Sequence, residues 1–332
     1  MAKKEVQSRE VDEEKVLNTE LSFELKDLPS VGEATVKKLK DAGILSIRIL
    51  AMYPLNKLMD EAGIGEKTAV KIIKSAQDIE KMGFKSADEI WEKRRVLNRL
   101  TSGSQSLDDL LLGGFEPGAV TELYGEYRTG KTQICHQLCV TVQLPYESGG
   151  LEGNALYIDT EGTFRPERLI QMALGRDLDH NIILKNTILG RAYNSDHQIL
   201  LAKEANKIIK EKNIKLIIVD SLIGHFRSEY VGRGTLATRQ QKLNTHIHDL
   251  LRLTEVYDEL AVLFTNQVSS KPDVFYGNPT THTGGNIVAH GSTIRIYLRK
   301  GKGEQRVAKV VDAPNIPESD AIFTITEDGI KD

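Results

Sequence analysis

The stretch GEYRTGKT, residues 125–132, decides the fold of this 332-residue chain. It matches the phosphate-binding pattern G-x-x-x-x-G-K-[ST], and it lies between a strand-like apolar run at 119–124 and a helical run that starts at residue 133. The pattern and its setting predict a nucleoside triphosphate site, in which Lys131 reaches the β and γ oxygens and the Thr132 hydroxyl binds Mg²⁺. The predicted ATP-binding residues of this segment are Gly125, Glu126, Tyr127, Arg128, Thr129, Gly130, Lys131, Thr132 and Gln133.

Other apolar runs alternate with helical stretches around this loop. They lie at residues 154–160, 215–221 and 260–266. Runs of this kind are typical of strands buried on both faces of a parallel sheet. The alternation predicts an α/β fold over residues 99–332, with a mostly parallel, twisted sheet and helices on both faces. The ligand of such a sheet binds at the carboxyl ends of its strands.

Polar side chains stand where three of these strands end. Asp220 closes the run KLIIVD and is placed to hold Mg²⁺ directly or through water. Glu161 follows LYIDT and is placed to orient or deprotonate an attacking water, and Gln267 ends AVLFTNQ, where a polar group can sense the γ-phosphate. The structural alternatives are a helix-capping aspartate, a surface glutamate and a hydrogen-bonded glutamine. The candidate catalytic residues are therefore Glu161, Lys131 and Gln267, and the candidate metal ligands are Thr132 and Asp220.

The front of the chain carries a short repeat. Residues 1–20 are polar and charge-dense, which predicts a disordered tail. In residues 21–80 the pattern Gly-Glu-x-Thr occurs at 32–35 and again at 65–68, each time before a run of helical period. Each copy predicts a helix, a glycine turn and a helix, and the pair resembles the helix-hairpin-helix domains that bind DNA backbones. This resemblance implies that the turns around Gly32 and Gly65 aim backbone N–H groups at a DNA phosphate. A plain helical packing module with solvated lysines is the alternative.

Composition predicts a folded, soluble chain. Hydrophobic residues are 40% and charged residues 27% of the sequence, and the formal net charge is -3. A nucleic-acid partner therefore needs locally basic surfaces. The sequence lacks an apolar run of about 18 residues, which favours a cytoplasmic, nucleoid-associated protein without a membrane partner. Cys135 and Cys139 are spaced to share one face of a helix and are expected inside the core.

The chain resembles the RecA-like strand-exchange recombinases, in particular the archaeal RadA proteins and their eukaryotic counterparts. The resemblance runs from about residue 22 to the end. It rests on GEYRTGKTQ, YIDTEGTFRPERL, IIVDS, NQV and GGNIVAHGSTIR, together with the helix-hairpin-helix front. It implies a RecA-like P-loop ATPase core preceded by a small all-α helix-hairpin-helix domain.

The same resemblance implies an activity and its partners. Family members are DNA-dependent ATPases that form helical filaments on single-stranded DNA, search double-stranded DNA for homology and exchange strands. The implied cofactors are ATP and Mg²⁺. The implied partners are both forms of DNA, further copies of the chain, which without DNA can also close into rings, and recombination mediators.

Residue roles carry over position by position. The resemblance implies that Glu161 activates water, that Asp220 is associated with the metal and that Gln267 couples nucleotide to DNA. It also implies that Arg168 lies against the adenine base and that His290 lets a DNA-binding loop sense the nucleotide. An outward-facing helix arginine and a packing histidine are the alternatives for these last two residues.

Two segments after core strands are candidate DNA-binding loops. The first, residues 224–242, is locally basic and contains glycines; the second, residues 269–291, is rich in Gly, Pro, Thr and Asn and is long for a connection inside a domain. In the family such loops contact DNA phosphates and insert between bases. Idle surface loops are the alternative. The candidate DNA-binding residues of the first loop are Arg227, Tyr230, Arg233, Arg239 and Lys242.

Residues 81–98 are predicted to be a linker that carries a polymerisation motif. The segment GFKSA resembles the family's aromatic-x-x-alanine motif, in which a short extended segment joins the edge of a neighbour's sheet while Phe84 and Ala87 fill pockets. A ring packed on its own domain is the alternative. Asp312 and Pro314 match the family segment that covers the ATP of a neighbouring subunit.

Two other functions share the same nucleotide site. One is a hexameric helicase or translocase of the RecA fold, which closes into a ring. The other is a regulatory recombinase paralogue with little strand exchange. No helicase-specific accessory domain is visible in the sequence, and the complete set of acids, both loops and the front domain argue against the paralogue.

Overall fold

A computed structural model describes residues 23–270, 280–282 and 285–332, and the chain divides into two compact units between Phe84 and Lys85. The side chains of Arg233 and of residues 269–286 are outside the description. The predicted tail, residues 1–20, also lies outside the described residues. Within them, none of the helices is long and apolar enough to span a bilayer.

The first unit is a small helical domain with its own core. Amphipathic helices turn Leu39, Leu50, Leu58 and Ile72 inward, and each of these side chains is fully buried. The elements of this unit are a 3₁₀ turn at Leu25–Asp27 and the helices α1 Glu33–Asp41, α2 Ile47–Ala51, α3 Leu55–Ala62 and α4 Glu66–Ile79.

The two copies of the repeat differ in their first half. In the second copy α3 ends at Gly63, whose φ of 58° is left-handed, and α4 follows with Gly65 as its N-cap, so the predicted helix-turn-helix is confirmed. In the first copy Gly32 caps α1, but a three-residue 3₁₀ turn stands where a helix was expected. Pro29 explains the difference, because a proline disfavours helical backbone at the residue before it, and Leu28 is extended.

The second unit is built on a twisted sheet in the order β10-β9-β8-β7-β1-β5-β4-β2-β3, with β6 paired to β5. The neighbours from β7 to β3 in this order run parallel, and β8, β9 and β10 continue the sheet antiparallel. The strands are β1 Val120–Gly125, β2 Asn154–Asp159, β3 Thr187–Arg191, β4 Ile214–Asp220, β5 Ala261–Ser270, β6 Thr280–His282, β7 Ile294–Lys300, β8 Gln305–Asp312, β9 Ser319–Thr326 and β10 Gly329–Lys331.

Helices cover both faces of this sheet. Leu263 of β5 belongs to one apolar cluster and its neighbour Phe264 to another, because successive strand residues point to opposite faces. The predicted α/β fold is confirmed, and Cys135 and Cys139 are buried in the first cluster as expected. The helices are α5 Ala87–Arg95, α6 Gln105–Leu110, α7 Lys131–Thr141, α8 Pro166–Leu174, α9 His180–Lys185, α10 Ser195–Ile208, α11 Gly224–Glu229, α12 Leu236–Val256 and α13 Gly285–His290, with 3₁₀ turns at Tyr146–Ser148 and Arg233–Thr235.

The carboxyl ends of the parallel strands meet at one edge of the sheet. Gly125 at the end of β1 is in register with Gln267 of β5. Asp159 at the end of β2 is in register with Asp220 of β4 on one side and with Arg191 of β3 on the other. Parallel pairing therefore gathers residues that are far apart in sequence along one rim.

The first predicted loop is largely helical. Residues 224–242 contain α11, a 3₁₀ turn and the first residues of α12, which continues to Val256. The expectation of a loop was wrong for residues 236–242, because this stretch is rich in good helix formers. Gly232 and Gly234 lie in the short connection before it. Of the second predicted loop, residues 269–291, only β6 and α13 are described beyond the end of β5.

The predicted linker, residues 81–98, also contains a helix. Ser86 caps α5 by accepting a hydrogen bond from the Glu89 N–H, so the extended part of the motif ends before Ala87. All side chains of α5 are exposed. Ion pairs from Lys93 to Asp258 and from Arg94 to Glu116 connect the helix to the rest of the second unit.

Candidate functional site

The phosphate-binding loop has the backbone that its glycines predict. Gly130 has a left-handed φ of 103° and is the N-cap of α7. A Cβ at Gly125 would lie 2.2 Å from the carbonyl oxygen of Leu298, so a side chain at that position is excluded. The loop therefore curls tightly at the end of β1 and directs the start of α7 toward the space where a phosphate can bind.

Lys131 lies inside this curl, and among the described residues no carboxylate forms an ion pair with it. Its Nζ donates hydrogen bonds to the carbonyl oxygens of Gly125, at 2.9 Å, and Glu126, at 2.8 Å. Burial lowers the pKa of Lys131, and the more distant carboxylates of Asp220 and Glu161 oppose that shift. An ammonium that donates mainly to neutral carbonyl oxygens is suited to bind an anionic phosphate.

The Asp220 carboxylate accepts three hydroxyl hydrogen bonds. Thr132 donates to Oδ2 at 2.8 Å, Tyr157 donates to the same oxygen at 2.7 Å, and Thr265 donates to Oδ1. Asp220 does not cap a helix, since α11 begins four residues later with Ile223 as its N-cap, and the capping alternative was wrong.

The pairing of Thr132 with Asp220 suits a hard cation. A hydroxyl and a carboxylate oxygen are ligands that Mg²⁺ accepts, and Mg²⁺ usually takes its remaining ligands from water and substrate phosphates. The described part of the chain has no cluster of three or more His, Cys, Asp or Glu residues that could hold a metal ion.

Glu161 is held by two donors that converge on one oxygen. Ser221 Oγ donates to its Oε1 at 2.7 Å, and Gln267 Nε2 donates to the same atom at 3.0 Å. The other end of the same Gln267 side-chain amide, its oxygen Oε1, lies 3.5 Å from Nη1 of Arg227. Arg227 belongs to α11. The structure thus joins a candidate catalytic residue, a candidate coupling residue and a candidate DNA-binding residue in one chain of contacts.

Hydrogen bonds that lie in the plane of its guanidinium fix the orientation of the Arg168 side chain. Its guanidinium donates to Gln133 Oε1 at 2.7 Å, to Gln171 Oε1 at 2.9 Å and to the carbonyl oxygens of Thr326 and Glu327 at the β9–β10 turn. The outward-facing alternative is therefore wrong. In-plane hydrogen bonds leave the flat faces of a guanidinium for stacking, which agrees with the predicted place beside the base.

The candidate DNA-binding residues differ in how much they are already engaged. Arg227 is exposed, whereas Lys242 forms an ion pair with Asp196 at 2.7 Å and lies 5.4 Å above the ring of Tyr230. Arg239 is half-buried on α12, and the side chain of Arg233 lies outside the description. His290 is exposed at the end of α13. Their roles stay predictions.

The predicted contacts between subunits are all on the surface. Phe84 is completely exposed, so the alternative of a ring packed on its own domain is wrong. Ala87 at the start of α5 is exposed as well, as are Asp312, the last residue of β8, and Pro314.

Two residues that contact Glu161 were not predicted from the sequence. Asp159, two positions before it, accepts backbone hydrogen bonds from the turn that carries Glu161. Ser221, directly after Asp220 in sequence, donates a hydrogen bond to the Glu161 carboxylate. Their places at the ends of β2 and β4 are the signal that could have found them, since carboxyl ends of parallel strands collect functional groups.

Comparisons with known proteins agree with this geometry. The family model described as Rad51 matches residues 93–332, and the model described as a SAM-like helix-hairpin-helix tandem matches residues 22–78. A curated protein of Metallosphaera sedula, named DNA repair and recombination protein RadA, is 49% identical over 324 residues, which are 97% of this chain and 98% of that protein. The resemblance predicted from the motifs is confirmed, and the chain belongs to the Rad51 family.

Proposed function

We propose that this protein is an ATP-dependent recombinase that forms helical filaments on single-stranded DNA and catalyses homologous pairing and strand exchange in recombination and double-strand-break repair. Membership of the Rad51 family and a nearly full-length relative named for DNA repair and recombination support this proposal. The observation that carries it is the continuous contact from Glu161 through Gln267 to Arg227, because it joins the nucleotide site to a basic surface.

ATP hydrolysis follows from the groups at the sheet rim. Lys131 and the N-terminus of α7 hold the β and γ phosphates, and the Arg168 plane supports the base. Bound Mg²⁺, held by Thr132 and Asp220, would neutralise charge that develops on the phosphates. Glu161 orients and deprotonates the attacking water. Because phosphoryl transfer depends mainly on positioning, turnover depends on the direction in which the Glu161 carboxylate points.

Coupling to DNA follows from competition for Gln267. In the structure its amide donates to Glu161 while its carbonyl faces Arg227. A carboxylate oxygen that accepts two hydrogen bonds is held in one orientation. When a DNA phosphate binds Arg227, Gln267 is released to meet the γ-phosphate, and the Glu161 carboxylate is free to turn toward the attacking water. Hydrolysis then accelerates on DNA.

Polymerisation has a donor and an acceptor surface. The donor is the exposed segment around Phe84 and Ala87. The acceptor is β3, which is an edge strand of the sheet as described and carries the exposed apolar side chain of Leu189. An extended segment that pairs with β3 and seats its aromatic ring there joins one copy to the next, and Asp312 and Pro314 of a neighbouring copy cover the nucleotide.

The first unit adds a second contact to DNA. Gly32 and Gly65 begin α1 and α4 without a side-chain cap, which leaves backbone N–H groups for a phosphate. Lys38 is partly committed to structure, since its Nζ donates to the Gly63 carbonyl oxygen at 3.1 Å. The remaining predicted basic residues here are Lys37, Lys40, Lys67, Lys71 and Lys74.

A strand-exchange assay with and without ATP, run beside Lys131→Ala, tests the function. We expect exchange only for the native protein with ATP and Mg²⁺. Exchange by the variant, or without nucleotide, would contradict the proposal. Electron microscopy of the same mixtures should show open helices; closed six-fold rings on DNA would favour a translocase, and no polymer a regulatory paralogue.

A further inference from the structure

The turn that carries Glu161, residues 160–165, is fixed at its beginning by one carboxylate. Asp159 is 3% exposed, and its Oδ1 accepts hydrogen bonds from the backbone N–H groups of Glu161 at 3.1 Å, Gly162 at 2.8 Å and Thr163 at 3.2 Å. Its Oδ2 accepts a further one from Phe164 at 3.3 Å. One buried side chain thus determines the path of four consecutive residues.

Arg191 holds Asp159 itself from the neighbouring strand. Its Nη1 donates to the Asp159 carbonyl oxygen at 2.8 Å and lies 3.6 Å from Oδ1. Gly162 turns beside this guanidinium with a left-handed φ of 73°. The position of the turn relative to the sheet is therefore set by β2 and β3 together.

The far end of the turn is held by the phosphate-loop helix. His136 of α7 is 1% exposed, and its Nε2 lies 3.0 Å from the backbone nitrogen of Arg165. A backbone N–H can only donate, so Nε2 is the acceptor and Nδ1 carries the proton, which it donates to the Thr132 carbonyl oxygen at 2.7 Å. His136 therefore connects the residue whose hydroxyl meets Asp220 to the turn that carries Glu161.

We propose that Asp159 and His136 are positioning residues for ATP hydrolysis: they fix the two ends of the turn so that the Glu161 carboxylate faces the phosphate-binding loop. The inference rests on the proposed function, in which Glu161 orients the attacking water. Among the described hydrogen bonds, the Asp159 carboxylate accepts from the turn that carries Glu161 and not from Lys131 or Thr132, so its effect on the reaction passes through Glu161. Misplacement of a reacting group by about 1 Å can cost about 100-fold in rate.

Steady-state ATP hydrolysis on single-stranded DNA tests the proposal, with Glu161→Gln as the reference. We expect Asp159→Asn to lower kcat by about 10- to 100-fold while KM for ATP stays within about threefold, because the amide places a donor against backbone donors and leaves the phosphate loop untouched. The double variant Asp159→Asn/Glu161→Gln should be no slower than Glu161→Gln alone, since a residue that acts through Glu161 adds nothing once that carboxylate is gone.

His136 provides an independent second test. His136→Ala removes the acceptor for the Arg165 N–H, whereas His136→Gln keeps an oxygen at a similar distance from the backbone. We expect kcat to fall for His136→Ala and to recover at least in part for His136→Gln. This pair also carries the test if Asp159→Asn does not fold.

The outcomes distinguish a failure of the proposed role of Glu161 from a failure of the positioning roles of Asp159 and His136. If Glu161→Gln hydrolyses ATP as fast as the native protein, the proposed function of Glu161 fails. If Glu161→Gln is slow but Asp159→Asn and His136→Ala keep native kcat, the positioning inference is overturned. It is also overturned if KM rises in proportion to the loss, or if the double variant is slower than Glu161→Gln by the full factor of Asp159→Asn.

Discussion

The side-chain amide of Gln267 lies 3.0 Å from Oε1 of Glu161, at the rim where β1, β2, β4 and β5 end. The two residues are 106 positions apart in sequence and meet because β5 and β2 are parallel strands on either side of β4. Gln267 is also the last exposed residue before the segment predicted to contact DNA. A change in that segment can therefore reach the candidate catalytic carboxylate of Glu161 through one side chain.

Replacing Phe84 with glutamate should abolish polymerisation. A fully exposed ring that enters a neighbour's pocket contributes about 1.5 to 3 kcal/mol per joint, and a carboxylate there would be buried without a partner. We expect Phe84→Glu to sediment as a folded monomer with ATP and single-stranded DNA. Phe23→Glu is the matched control, since Phe23 is also exposed in the first unit but lies outside the motif. Filaments of native length from the Phe84 variant would refute the donor surface.

Arg227 and Lys242 should differ in their effect on DNA affinity. Arg227 is exposed and faces the side-chain amide oxygen of Gln267, whereas Lys242 is already paired with Asp196. Arg227→Ala should weaken binding to all single-stranded sequences alike and reduce the slope of log K against log salt by about 0.7 to 1. Lys242→Ala should change that slope less. The two are compared by fluorescence anisotropy at several salt concentrations, and equal slopes for Arg227→Ala and the native protein would exclude a phosphate contact at Arg227.

Breaking the buried ion pair behind the site should lower the free energy of unfolding of the second unit. Glu122 is fully buried, accepts a hydrogen bond from Arg295 Nε at 2.7 Å and another from Asn266 Nδ2 at 2.8 Å. Arg295→Met leaves the Glu122 charge unpaired and should lower the free energy of unfolding by about 3 to 5 kcal/mol.

Adding Glu122→Gln should restore most of that loss. The amide removes the buried charge and still offers an oxygen to Asn266, so the double variant should unfold in urea within about 2 kcal/mol of the native protein. A double variant as unstable as Arg295→Met would show that the charge is not the cause.

The sequence predicted the strand-end residues well because parallel pairing obeys general rules. Gly125, Asp220 and Glu161 each follow or end an apolar run, and the sheet brings them to one rim. Asp159 escaped prediction because its role depends on backbone N–H groups of a turn, which a residue pattern does not show. Residues 236–242 were predicted to be a loop because Gly232 and Gly234 precede them, although the stretch itself is rich in helix formers.

Contacts between distant segments were the part that the sequence could not supply. The ion pair of Lys242 with Asp196 joins α12 to α10, and no spacing along the chain indicates it. The same holds for His136, whose position in α7 predicts only that it is buried. Its two hydrogen bonds depend on how α7 packs beside the turn at 160–165.

The ratio of ATP turnover with and without single-stranded DNA, measured for the native protein and for Gln267→Ala, tests the coupling most directly. Removing the amide breaks the only described link from Arg227 to Glu161, while Lys131, Thr132 and Asp220 keep their contacts. We predict that DNA raises native turnover by about tenfold or more and that the variant, although it binds ATP and DNA, shows a ratio close to one. A variant that retains the native ratio would contradict the coupling through Gln267.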